Sequence, residues 1–325
     1  MTHRERIDAA VRGERPDRVP VALWRHFPED DRRAEKLAQA HIAFYRAYDP
    51  DLLKVTPASG YYGDDWGLRA GYKPNREGTR TYGERPIKKA SDWERLKHLD
   101  VSQGAHGREV HAIRLVAEAV GREVPVLETV FSPLSVARTL AGEQATVRYL
   151  REDPEALHNG LAMIADVTAE FVHAVIAAGA DGIFFSTQMA TTALMTAEEY
   201  EEFGRPYDLR ILDAVDGGLV FLHLHGEHVM FDLVSNYPVQ ILNWHARETP
   251  PTIAEARARV STCLACGISA WNTLAKASPE AVAQEVRSAI ADTGGRGHIV
   301  TTGCVMPVDT PEANIGAAIA AAREA

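Results

Sequence analysis

The sequence predicts an α/β fold: one (β/α)8 TIM barrel domain over residues 1–325, with a long insertion after the second strand. Three observations carry this expectation. Short apolar or β-branched runs recur eight times with amphipathic stretches between them. Most of the runs are nearly continuous rather than alternating, as parallel strands covered on both faces should be. Polar residues gather at the C-terminal ends of the runs, where such barrels place their chemistry.

The runs lie at 19–24, 52–56, 124–130, 182–186, 219–225, 239–244, 267–271 and 298–302. Periodicity and caps mark the helices between them. Asp153-Pro154-Glu155, for example, opens a helical pattern over 156–178 that ends at Gly179, directly before the fourth run. The acidic stretch 198–202 reads as the exposed face of a helix start. Residues 60–100 break the rhythm, being rich in Gly, Tyr, Lys and Arg with Trp66 and Trp93, and read as the insertion.

At 325 residues the chain exceeds the usual domain size, but α/β barrels reach this length as one unit. With 46% hydrophobic and 25% charged residues it has a globular composition, and no stretch of 18 uninterrupted apolar residues suggests a membrane span. The first residues lack the apolar core of a secretory signal, which predicts a cytoplasmic location. Three cysteines are too few for a disulfide framework, so free thiols or metal ligands are expected. A net charge of -10 argues against nucleic-acid or anionic-membrane partners and leaves a small-molecule substrate.

The strand ends supply the candidate site. They carry Trp24-Arg25-His26, Lys54, Glu128, Gln188, His223-Leu224-His225, Asn243-Trp244-His245, Asn272 and Cys304 in turn. Strand alternation puts His223 and His225 on one face. With Cys304 as a third donor such a pair can hold zinc; without it, the two imidazoles are polar side chains hydrogen-bonding at a pocket mouth. Glu128, Asn243 and His245 are candidates for a labile ligand or a substrate-orienting group. Arg25 is a pocket residue or an ion-pair partner of Asp30 or Asp31. Trp24, Trp66 and Trp244 offer an aromatic wall or core packing. Tyr61 and Tyr62 cap the pocket or lie in a solvated loop, and Gln188 and Asn272 are further candidates for substrate contact. Cys263 and Cys266 have half-site spacing without a second half; they read as small buried residues ahead of a strand.

Several stretches resemble the uroporphyrinogen decarboxylase superfamily: Arg15-Pro16-Asp17-Arg18-Val19-Pro20, Gly179-Ala180-Asp181-Gly182-Ile183, the run from Glu198 to Tyr207, Leu242-Asn243-Trp244, and Gly303-Cys304-Val305-Met306-Pro307. The resemblance implies a barrel, often dimeric, and two chemistries. In metal-independent decarboxylases two arginines follow the first strand and an aspartate follows the second. Arg25 matches the first arginine, Phe27-Pro28-Glu29-Asp30 supplies no second, and Lys54-Val55-Thr56-Pro57 supplies no aspartate. In the zinc methyltransferases, which act with corrinoid proteins on thiols, a histidine, a ligand two residues later and a late cysteine hold the metal. His223 and Cys304 match, whereas His225 stands where that branch carries cysteine. The resemblance is therefore nearer the methyltransferase branch, implying zinc, a corrinoid on a partner protein and a homodimer. A decarboxylase of a tetrapyrrole or smaller carboxylated substrate, and a corrinoid- or tetrapyrrole-binding protein without turnover, are the alternatives.

Overall fold

The computed structural model describes residues 1–325. Seven parallel strands form one curled sheet in chain order: β1 (Leu53–Val55), β2 (Val126–Phe131), β3 (Gly182–Thr187), β4 (Leu219–Leu224), β5 (Ile241–Trp244), β6 (Cys263–Ile268) and β7 (His298–Thr302). Each is paired only with its chain neighbours, the order produced by repeated strand–helix–strand crossovers.

The run at 19–24 forms no extended ladder. Val21 makes a single parallel bridge to Val300 of β7, where Ala22 N–H donates to Val300 O at 3.0 Å and Val300 N–H to Pro20 O at 2.8 Å. On its other side Asp51 N–H donates to Val21 O. The segment thus lies between the last strand and the chain entering the first, and Pro20 has no N–H to lengthen the ladder.

The seventh run is displaced from expectation. The strand covers Cys263–Ile268 rather than 267–271, because the Ser269 hydroxyl accepts Asn272 N–H and turns the chain into a single helical turn, Ala270–Leu274. Cys263 and Cys266 therefore lie within β6, not ahead of it, and pack on opposite faces of the sheet. Burial pushes the Cys263 thiol up to about 12.

Two cores follow from strand alternation. The inward face packs Trp24, Leu127, Phe184, Phe221, Ile241 and Ile299 into a small interior closed at one end by Ile7 and Ala10 of the helix His3–Val11. The outward face packs against the surrounding helices, among them Gly104–Val120 and Pro154–Ala177, in a larger layer. Between β1 and the helix Gly104–Val120 lies a short ladder, Ala70–Gly71 with Thr81–Tyr82, then the turn Ala90–Arg95. Trp93 anchors that turn on the helix Pro154–Ala177 so closely that a Cβ at Gly160 would meet its ring at 2.4 Å. The helix is apolar enough to cross a membrane by composition, but half of its most apolar stretch is buried here, as in a core helix.

Two fully enclosed histidines tie stability to pH. His41 bonds Leu37 O and accepts Thr56 N–H, and His298 bonds Cys266 O and the Thr293 hydroxyl; burial pulls both down to about 4. A depressed folded value means each contributes stability that is complete above about 6.5 and is lost as pH falls toward 4. The loss should reach about 3 kcal/mol per histidine by pH 4. Urea midpoints measured from pH 7 to 4 should fall over this window, and less steeply in His298→Gln. An identical slope in that variant would refute the assignment.

Candidate metal centre and its pocket

Residues 219–224 form β4 because a β-branched and apolar run follows the Gly217-Gly218 turn. Its inward parity carries Phe221 and His223 and continues to His225, where Gly226, at φ +90°, turns the chain away. On β5 the same parity carries Asn243 and, just past the strand, His245. Cys304 follows β7. Gly303 permits their approach, since a Cβ there would lie 2.7 Å from the His245 Cα.

One donor atom from each of His223, His225, His245 and Cys304 falls within 4.8 Å of the others. His223 Nε2 is 3.4 Å from His225 Nδ1, and Cys304 Sγ is 3.7 Å from that same nitrogen. Tetrahedral zinc with bonds of about 2.0 Å to nitrogen and 2.3 Å to sulfur has edges of roughly 3.3 and 3.5 Å. The spacing fits that geometry. Moreover His245 Nε2 is buried without a hydrogen-bond partner, a cost that a ligand would relieve.

The tautomer of His223 is set from behind. Asn243 Nδ2 donates to Ala265 O at 2.6 Å and Thr302 O at 3.1 Å, so its oxygen faces His223 Nδ1, at 2.5 Å. His223 must donate from Nδ1, which leaves Nε2 a free lone pair toward the cluster. Burial, reinforced by the other two imidazoles, holds His223 neutral; burial lowers His225 to about 3 and lowers His245 as well. Burial raises the Cys304 thiol to about 11. Three neutral imidazoles and one thiol are a donor set for a borderline-soft cation.

The cluster lies on a cavity of about 250 Å³. Trp24, Tyr62 and Gln188 line it, together with His223, His225 and Cys304. Gln188 accepts from Arg138, and the Tyr62 hydroxyl pairs with that of Thr139. Five other expected site residues lie elsewhere. Arg25 falls between two lining residues, stacks on Phe27 and donates to Val308 O at 2.6 Å; neither Asp30 nor Asp31 pairs with it. Glu128 is aligned with Val55 and Ile183, both in the outer layer, so it faces the helices; burial keeps its carboxyl well above the usual range. Trp244 is fully buried in the same layer, donating to Pro251 O. Tyr61 is buried there too, donating to Thr129 O at 2.9 Å, so it neither caps the pocket nor lies in a solvated loop. Asn272 is exposed on the turn after β6.

The pocket also contains the strand-end residues Lys54 and His26, and, marked by no sequence pattern, Arg138 together with Glu77, Thr79, Arg80 and Tyr82 from the segment bearing the short ladder. That segment is strapped over the mouth. Val308 N–H donates to Arg76 O, Arg76 pairs with Asp309, Arg80 pairs with Asp31 and donates to Pro28 O, and Gly78, at φ +76°, sits where a Cβ would meet His26 and Val308. Lys54 was visible as a charge within an apolar run. It is 4% exposed, 4.5 Å above the Phe184 ring and 5.7 Å from that of Trp24; burial lowers it to about 7.

The profile of the family described as Uroporphyrinogen decarboxylase (URO-D) matches residues 2–325. The chain belongs to the uroporphyrinogen decarboxylase family. Its relatives there include the "Methylcobamide:CoM methyltransferase MtbA" of Methanosarcina acetivorans, 26% identical over 69% of this chain and 70% of that one. They also include a "Uroporphyrinogen decarboxylase" of Serratia proteamaculans, 27% identical over 83% and 76%. Among solved structures, a "methyltransferase from Methanosarcina mazei" superposes with a TM-score of 0.87 at 18% identity, covering 100% of this chain and 99% of that one, and shares the fold. Family membership agrees with the resemblance in the sequence, and the relatives include both methyltransferases and decarboxylases.

Proposed function

We propose that this family member is a zinc-dependent, methyltransferase-like enzyme that activates a thiol or similar small acceptor. One observation carries the reading: four donor atoms within 4.8 Å of one another, two of their separations close to tetrahedral edges, three of them on the cavity wall, with a buried His245 nitrogen that has no hydrogen-bond partner. His223, His225 and Cys304 would hold the ion, with His245 a labile fourth ligand that an incoming thiol would displace. Bound zinc supplies a Lewis acid that lowers the pKa of a coordinated thiol. Asn243 fixes His223 by its hydrogen bond, and Phe184, stacked on His223 at 5.3 Å, helps exclude water. The small cavity supports an acceptor below the roughly 300–1,000 Å³ of drug-sized ligand sites, and argues against a whole tetrapyrrole as substrate.

Within the same proposal, the segment at 19–24 is the first stave of a closed (β/α)8 barrel and residues 60–100 are an insertion after its second stave, β1. A corrinoid on a partner protein brings the methyl group, by analogy with the methylcobamide named for the Methanosarcina relative. A homodimer in the cytoplasm is the expected setting.

The test is metal analysis of protein purified without an affinity tag, paired with methyl transfer from methylcobalamin to a small thiol. About one zinc per chain and chelator-sensitive transfer support the proposal. A metal-free native protein that releases carbon dioxide from a carboxylated substrate in the presence of chelator would sink it.

A further inference from the structure

Lys54 is a buried amine without a counter-charge. It forms no salt bridge, and its one hydrogen bond is to the Thr56 hydroxyl, at 3.2 Å. The arginines lining the cavity are already matched, Arg80 by Asp31 and Arg138 by Glu143. The acids acting on Lys54 are Cys304 and Glu128, but burial raises the Cys304 thiol and keeps the Glu128 carboxyl well above its usual range. Neither is a standing anion at neutral pH in the metal-free chain. Buried charges are ordinarily paired, because desolvation is otherwise uncompensated. A buried lysine with no partner is driven toward the free amine, which is a nucleophile.

Two idle polar groups share its wall of the cavity. Trp24, whose ring centroid is 5.7 Å from the Lys54 nitrogen, has a buried indole N–H without an acceptor. His26, within the field of the Lys54 charge, is held neutral by burial, and the Pro57 carbonyl takes the one N–H of its ring. Its buried Nδ1 is therefore a bare lone pair without a donor. One unmet donor and one unmet acceptor flank the amine. A free amine offers N–H bonds but no oxygen acceptor; a carbamate offers both an N–H and an oxyanion.

We propose that Lys54 is a carbamylation site, where its nitrogen binds carbon dioxide covalently and the product is held by the Trp24 indole N–H and His26 Nδ1. The lone pair of Nζ attacks the carbon of carbon dioxide, a carbonyl π pair moves onto oxygen, and one amine proton leaves to water. The products are a carbamate and a proton, with no oxidant, reductant or metal involved. The wall of the cavity then changes from cationic to anionic, so carbon dioxide decides which charge an incoming molecule meets. The site uses none of the four donors of the proposed zinc centre and stands apart from that reading.

Carbon NMR of the full chain in isotope-labelled bicarbonate, with lysine labelled at its amine nitrogen, tests this. Wild type at neutral pH should show one carbamate resonance per chain, split by the carbon–nitrogen bond and lost on acidification. Lys54→Met and Lys54→Arg should abolish it, and Trp24→Phe, which removes the indole N–H, should lower its occupancy severalfold. Alkylation of wild type with a trialkyloxonium salt should place a carbamate ester on the peptide bearing Lys54, a readout independent of how the variants fold. No split resonance at saturating bicarbonate, an unsplit one from adventitious bicarbonate only, or a split one undiminished in Lys54→Arg would overturn the proposal. Metal-stripped protein should keep the resonance. Zinc uptake without the resonance refutes this site and leaves the proposed function standing; the resonance in a chain that takes up no zinc does the reverse.

Discussion

Replacing His223 with alanine is expected to lower zinc affinity by a hundredfold to a thousandfold, on the order of one ligand's share of a four-ligand site. His223 is the best fixed donor in the cluster: fully buried, held neutral, and locked in tautomer by Asn243, whose amide is itself tied to the carbonyls of Ala265 and Thr302. No neighbouring group can substitute for its Nε2. Competition against a chromophoric chelator measures the loss directly, and Cys304→Ser should weaken binding in the same direction. Cys263→Ser, in the inner core but outside the cluster, should leave zinc binding intact. Stoichiometric, tightly held zinc in His223→Ala would remove that residue from the centre.

The second large effect concerns stability. Trp244 is 0% exposed, meets Phe231 edge-on at 5.1 Å and donates its indole N–H to Pro251 O at 2.8 Å. Truncation to alanine opens a cavity between sheet and helices and strands the Pro251 carbonyl, at a cost of about 3–5 kcal/mol. Thermal unfolding should begin roughly 4–7 °C lower. Trp244→Phe should lose less. Zinc content and acceptor binding should be unchanged below the transition, because the ring faces away from the cavity. A variant of normal stability that no longer binds acceptor would reverse that conclusion.

Trp244 shows where sequence reading runs out. Neighbouring residues on a strand face opposite sides, so Asn243 and Trp244 cannot both reach the cavity, nor can Trp24 and Arg25. The apolar runs announce the strands and their polar ends, because parallel strands covered on both faces carry almost no other residues. For the same reason they conceal which parity points inward. Only β4 declares its parity, through His223 and His225 flanking Leu224. Had that parity been carried across the sheet in register, Ser186 and Asn243 would align with His223, and Glu128 with Ile183, on the other face. The pocket residues between positions 77 and 82 were illegible for another reason: they are placed by ion pairs and backbone bonds to chain-distant residues such as Asp309 and Val308. Lys54 alone left a clear trace.

The donors at β4, β5 and β7 also have a meaning for chain connectivity. His225 and Cys304 are 79 residues apart in sequence, and the loop between them contains all of β5, β6 and β7. A cation bridging the two closes that loop as a covalent cross-link would, removing unfolded-state entropy on the order of 4 kcal/mol in the chain-entropy description. β6 contributes no donor, yet it could not leave the sheet without parting the two strands that flank it. With a cation bound there, its release and the melting of this sector would be one cooperative event.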